Sequence, residues 1–154
     1  MTLPTPAEML SAAGIAFSSF THPPIRTYED IERELKLPPE LLLKTMAFRS
    51  ETGFVLASLP ILSRVAYGPL AKAAGLPRAA LRQAGPGDLA ELGMEPGGVS
   101  PLTGLPGTQI VFDVSVRDMA TVHFGSGRAD ETLTAQAADL IEVVRPVFAD
   151  LVKR

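Results

Sequence analysis

The sequence has no cysteine and no tryptophan, only two histidines and two tyrosines, and a charged fraction of just 20%. Without cysteine there are no disulfides, no thiolate nucleophile and no sulfur ligands for zinc, which fits a reducing compartment. With His22 and His123 alone, a metal site would have to recruit scattered carboxylates, so no metal is expected. The phosphate-loop lysine motif, the nucleophile-elbow serine and the paired-histidine zinc motif are all missing, and nothing points to a cofactor. No apolar run is long enough to cross a bilayer, and no basic segment leads into an apolar stretch near the start. A cytoplasmic location without a membrane partner is the expectation.

What is there is 46% apolar residues in a chain of 154, enough for one substantial core and a single domain over residues 1–154, with a monomer as the default. The net charge of −3 gives no general attraction to a polyanion, so a nucleic-acid partner would need a local basic patch. Arg64, Lys72, Arg78 and Arg82 offer one with no acid among them, and Arg78 and Arg82 share a face if that stretch is helical. A solvated surface is the plainer reading of the same four cations.

Thr5-Pro6-Ala7-Glu8 combines an N-cap, a proline at the first helical position and a capping-box glutamate, predicting a helix over residues 6–13. A short strand over 15–21 then leads into the His22-Pro23-Pro24 turn. Thr27 caps a second helix that ends before Pro38, and a helical turn follows at 39–42. Residues 44–48 and 54–59 flank the turn Ser50-Glu51-Thr52-Gly53 as a hairpin, with Lys44 at a strand beginning. Short helices are expected at 69–74, 79–84 and 88–92, and a long Gly- and Pro-rich loop at 93–107. Strands follow at 109–113 and 121–124, and one more closes near Leu133. The stretch from 135 reads as helical, with Pro146 starting a separate helix or kinking a continuous one. Helices and strands alternate irregularly, which favours a mixed-sheet α/β (α+β) domain over a doubly wound one.

Three places could carry chemistry. Lys44 lies between Leu41-Leu42-Leu43 and Thr45-Met46-Ala47-Phe48, where an ammonium is poorly solvated. It either has a lowered pKa or an anionic partner, as functional lysines do, or it snorkels at a strand edge. Gly97-Gly98-Val99-Ser100-Pro101 could bring backbone N–H groups close to a carbonyl or oxyanion, or be a tight surface turn. Gly125-Ser126-Gly127 lacks the spacing and context of a dinucleotide loop. His22, in a turn, and His123, in an apolar strand, read more readily as hydrogen-bonded structural histidines than as catalytic ones.

Together, Leu43-Lys44-Thr45, the Gly97-Gly98-Val99-Ser100-Pro101 loop and Phe124-Gly125-Ser126-Gly127-Arg128 resemble, in order and spacing over nearly the whole chain, the YbaK-like prolyl-tRNA editing domains, here as a free-standing member. The resemblance implies a mixed, barrel-like sheet with surrounding helices and a trans-editing hydrolase that deacylates mischarged aminoacyl-tRNA. The substrate it implies is tRNA(Pro) carrying a small wrong amino acid, such as alanine, cysteine, serine or threonine, with prolyl-tRNA synthetase as a candidate partner. Lys44 matches the family's functional lysine, and residues 97–101 match its Gly-x-x-x-Pro loop for the aminoacylated 3′ end. His22 matches the family's early-turn histidine, and Glu131 falls where some relatives carry an acid; Thr45, Met46 and Gly125 complete the implied substrate site. Phe20 replaces the tyrosine of cysteine-removing relatives, and Thr45 replaces the asparagine usual in alanine-specific ones. The implied mechanism uses neither a protein nucleophile nor a metal: Lys44 and loop amides stabilise the oxyanion while water or a ribose hydroxyl assists. Met46, Phe48 and Val99 are the expected walls of the amino-acid pocket. Two other classes stay open on the residues alone, a non-catalytic tRNA- or synthetase-binding module and a small-molecule binding domain.

Overall fold

The structure, a computed structural model, describes residues 2–154. Its elements are α1 (Pro6–Ala12), β1 (Phe17–Thr21), α2 (Tyr28–Glu34), β2 (Leu43–Ser50), β3 (Gly53–Pro60), α3 (Tyr67–Ala74), β4 (Arg82–Gln83), α4 (Pro86–Glu91), β5 (Gln109–Asp113), β6 (Thr121–Gly125), β7 (Glu131–Gln136), α5 (Ala137–Val144) and β8 (Val147–Ala149). The mixed α/β class is the one expected. The strands, however, form two sheets and no closed barrel: a three-stranded antiparallel sheet in the order β1-β7-β6 and a five-stranded mixed sheet in the order β4-β2-β3-β5-β8. A single parallel bridge between Leu42 and His123 joins them.

Local chemistry sets the helix starts. The Thr5 hydroxyl accepts from the Glu8 amide while the Glu8 carboxylate accepts from the Thr5 amide, which satisfies two otherwise orphaned donors. Thr27 and Asp30 do the same for α2. No residue of α2 is fully buried, so capping rather than packing carries much of this helix.

The hairpin β2–β3 has the expected turn and a register that sets Lys44 opposite Leu59 and Thr45 opposite Ser58. Residues 54–59 of β3 are all buried, because this central strand is covered on both faces. Phe48, Val55, Ala57, Leu59 and Val111 pack on one face against Leu70, Ala71 and Ala74 of α3. On the other face Leu43 and Phe112 join Val122, Phe124, Leu133 and Leu140 in the core shared by both sheets. Ala47, Phe54 and Leu56 on that face pack with Leu89 of α4 and with Leu92, which caps its C-terminal end.

Two expected helices are corrected. Residues 79–84 form a 3₁₀ turn, Arg78–Ala80, followed by β4, which pairs with Phe48 and Arg49 on the open edge of β2. Local helix propensity yields there to burial of Leu81 and to the unpaired backbone of that edge. Arg78 and Arg82 therefore share no helical face. At the C-terminal side, Pro146 neither begins nor kinks a helix: α5 stops at Arg145, which adopts the left-handed conformation at φ 50°, and β8 then runs parallel to β5. Leu133 lies in the middle of β7 rather than at its end.

Candidate active site

A cleft of about 490 Å³ opens where the two sheets meet. Its walls come from the start of β2, residues 61–64 beyond β3, one side of α2 with the residues flanking it, the loop at Gly97 and Val99, the end of β6 and the start of β7. Lys44 lies in this cleft. It projects from the face of β2 that carries Met46 and Phe48, opposite Leu59, and is half-buried. Its ammonium has no hydrogen bond or ion pair among the described residues. Burial, with the neighbouring Arg64 guanidinium as a second cause, holds its pKa below the ordinary 10.5. A cation left uncompensated in a partly desolvated recess is open to an anionic ligand.

The glycine loop is shaped by its neighbours. A Cβ at Gly97, where φ is 88°, would overlap the Ile25 carbonyl oxygen. One at Gly98 would strike the carbonyl of Arg128, and one at Gly125 that of Val99. Only glycine lets these three backbones approach so closely. Glu95 fastens the same assembly, its carboxylate accepting from the Ala129 amide at 2.9 Å and its own amide donating to the Gly127 carbonyl at 2.8 Å.

Within the loop, the Gly98 amide donates to the Glu95 carbonyl and the Ser100 amide contacts the Met94 sulfur. The amides of Gly97 and Val99, the two loop residues on the cleft, donate no hydrogen bond among the described residues. Ser100 and Pro101 are buried behind them, the Ser100 hydroxyl accepting from the Leu102 amide at 3.2 Å.

The expected site residues thus divide. Lys44, Thr45, Gly97, Val99, Gly125 and Glu131 meet around the cleft. Gly98, Ser100 and Pro101 support it from behind. His22 stands one layer out: its Nδ1 bonds the Pro23 carbonyl oxygen at 2.9 Å and its Nε2 bonds the Thr132 hydroxyl at 2.8 Å, so it fixes a hydroxyl that does line the cleft. Thr45 projects from the opposite face of β2 to Lys44 and bonds the Ser58 hydroxyl at 2.8 Å. Met46 lines a neighbouring recess rather than the cleft, and Phe48 is fully buried beneath α3. Of the expected pocket walls, Val99 alone stands on the cleft, joined by Ile25, Ile31 and Leu35.

Several lining residues were not singled out as site residues from the sequence, Arg64 and His123 among them. Arg64 appeared only as one cation of a patch, although the hairpin register that sets Lys44 against Leu59 also returns residues 61–64 to the same end of the sheet. His123 read as structural, and its Nδ1 does bond the Thr134 hydroxyl at 2.7 Å, yet its ring also lines the cleft; burial lowers its pKa below 6.5 and keeps it neutral at pH 7. Among the described residues, no group of three histidine, aspartate or glutamate side chains is placed to hold a metal ion.

Comparison with known proteins bears on the fold and the family. The crystal structure of the hypothetical protein APE2540 superposes with a TM-score of 0.82 at 25% identity, covering 96% of this chain and 98% of that one. That of a protein proposed as a trans-editing enzyme for prolyl-tRNA synthetase superposes with a TM-score of 0.81 at 23% identity, covering 95% and 93%. Among curated proteins no sequence matches. The profile of the aminoacyl-tRNA editing domain matches residues 22–143, a span that runs from the His22 turn through Lys44 and the glycine loop to α5. The chain belongs to the aminoacyl-tRNA editing domain family.

Proposed function

We propose that the protein is a trans-acting deacylase that hydrolyses the ester joining a wrong amino acid to the terminal ribose of a tRNA. The observation that carries the reading is Lys44, a half-buried cation without a counter-ion in a cleft also lined by Gly97 and Val99, whose amides donate no hydrogen bond among the described residues. Water adds to the ester carbonyl, and negative charge develops on its oxygen. Lys44 and the two amides supply positive charge and N–H donors for that oxyanion. Collapse of the adduct expels the ribose oxygen, which takes up a proton, leaving free amino acid and uncharged tRNA. Preorganised donors are worth most where charge develops in a water-poor site, and one such donor contributes about 3 kcal/mol.

The substrate we assign is tRNA(Pro) carrying a small amino acid, and prolyl-tRNA synthetase is the candidate partner in a cytoplasmic setting. The proposed trans-editing role of the similar structure supports that assignment. Ile25, Ile31, Leu35 and Val99 give the cleft an apolar side suited to a short aliphatic group. Such a wall separates substrates differing by a methylene only about 10- to 200-fold.

The test is deacylation of tRNA(Pro) charged with alanine, cysteine, serine, threonine or 2-aminobutyrate, by the wild type and by Lys44→Ala. One amino acid should be removed preferentially, and Lys44→Ala should lose at least about 100-fold in rate while still retaining tRNA. Undiminished activity in Lys44→Ala would overturn the mechanism. Retention of tRNA by the wild type without deacylation of any substrate would make the protein a binding module.

A further inference from the structure

A second recess of about 530 Å³ lies on the other side of Lys44 and Arg64, which line both it and the cleft. Met46, Tyr67, Arg78 and Lys153 are among its other walls. Its lining thus holds four cations and no acid, in a protein whose net charge is −3. None of the four has a carboxylate partner among the described residues. Of the ten other lysines and arginines, Arg33, Arg49, Arg82, Arg128, Arg145 and Arg154 each bridge to an aspartate or glutamate, whereas Arg26, Lys36, Lys72 and Arg117 have no such partner among the described residues. Half of the eight cations without a carboxylate partner among the described residues thus line this one groove.

Both sides of the groove are also held in place. The Arg78 guanidinium lies 4.6 Å from the centroid of the Tyr67 ring, and Tyr67 packs edge-on against the buried Phe48 at 5.6 Å. The Lys153 amide donates to the Arg64 carbonyl at 2.7 Å, beside the bridge between Val65 and Val152. The stacked guanidinium of Arg78 loses less side-chain entropy on engaging an anion than a free surface lysine does.

We infer that this groove is the track of the single-stranded 3′ tail of RNA, leading its phosphates to the cleft. The inference rests on the deacylase reading. The ester lies on the last ribose, so the strand must leave the cleft through that nucleotide's 5′ phosphate. The shared cations Lys44 and Arg64 stand at that exit, and Arg78 and Lys153 continue the line for the phosphates before it. A basic groove that follows the backbone is how single strands are held without reading their sequence.

Arg78 and Lys153 lie outside the cleft, so both can be changed without touching the proposed oxyanion site. Arg78→Ala, Lys153→Ala and the double variant would be compared with the wild type on three probes. These are a fluorescent RNA hairpin ending in an unpaired CCA, an aminoacyl-tRNA, and aminoacyl-adenosine, which ends before the first phosphate. Hairpin affinity and kcat/KM on tRNA should fall about tenfold in the double variant. The slope of log affinity against log salt should flatten by about 0.7 for each cation removed, and aminoacyl-adenosine should be hydrolysed as by the wild type. Hairpin binding with unchanged affinity and salt slope in the double variant overturns the proposal. So does equal binding of a polyglutamate peptide at the same ionic strength, which would make the groove a general anion surface. If the wild type hydrolyses neither ester but hairpin binding still depends on Arg78 and Lys153, the deacylase reading falls and the RNA track stands.

Discussion

At the scale of single residues, burial lowers the pKa of two groups on the cleft, Lys44 and His123. Lys44 has a folded-state pKa below its unfolded value, first from burial and then from Arg64. Its contribution to stability is therefore full above the unfolded pKa and lost as pH falls through the folded one, so at neutral pH the charged side chain opposes folding. Lys44→Met, which keeps the length and removes the charge, should raise the midpoint of thermal unfolding at pH 7 while abolishing deacylation. A lowered midpoint would show that the ammonium has a stabilising partner. In catalysis the sign is opposite: the cation is the working form, so kcat should decline with rising pH earlier than an ordinary lysine would cause. His123 adds a second pH dependence. With a folded pKa lowered by burial, its stabilising contribution is present above about 6.5 and lost as pH falls through the folded value. Calorimetry from pH 7 to pH 5 should show a shallower loss of stability in His123→Gln than in the wild type. Lys44 stood out in the sequence because few charges interrupt so apolar a stretch. His123 did not, since an imidazole in an alternating strand looks the same whether its free edge meets a core or a cleft.

At the scale of elements, the loop at 97–101 shows what a glycine pair does here. Gly97 combines a positive φ with contact against the Ile25 carbonyl, and Gly98 rests on Arg128. Gly97→Ala should cost at least about 2 kcal/mol of stability and displace the two cleft amides, lowering kcat as well. Denaturant unfolding and single-turnover deacylation on the same variant check both parts. Arg145 is the opposite case, a bulky residue in the left-handed conformation at the end of α5, and its side chain reaches only the exposed Glu142. Arg145→Gly should stabilise the protein by about 1 kcal/mol. Caps and turns were legible because they are local: Thr5 with Glu8, Thr27 before α2, and the turn of the β2–β3 hairpin. β4 and β8 were not. Each is a short segment recruited by the free edge of a strand distant in sequence, which no local pattern encodes.

For the whole molecule, the two sheets share a core in which Leu43 and Phe112 of one meet Val122 and Leu133 of the other. Phe112→Ala should cost about 3–5 kcal/mol, and unfolding followed by circular dichroism and by loss of cleft binding should still coincide in one transition. Separate transitions would mean that the sheets are independent. The sequence indicated an α/β class but not the split into two sheets, because sheet membership is decided by pairings between remote segments. The pairing of β1 with β7 is the most remote of them: Phe17 lies against Ala135, and Thr21 against Glu131. That ladder closes a loop of more than a hundred residues, and its end at Thr21 and Glu131 is also where the cleft begins. Chains dominated by such distant contacts fold in milliseconds to seconds, since the entropy of closing the loop is lost before the contacts reward it. A kinetic order follows. On refolding, the β2–β3 hairpin carrying Lys44 can form early from neighbouring residues, but competence to bind substrate must wait for the slowest closure in the chain.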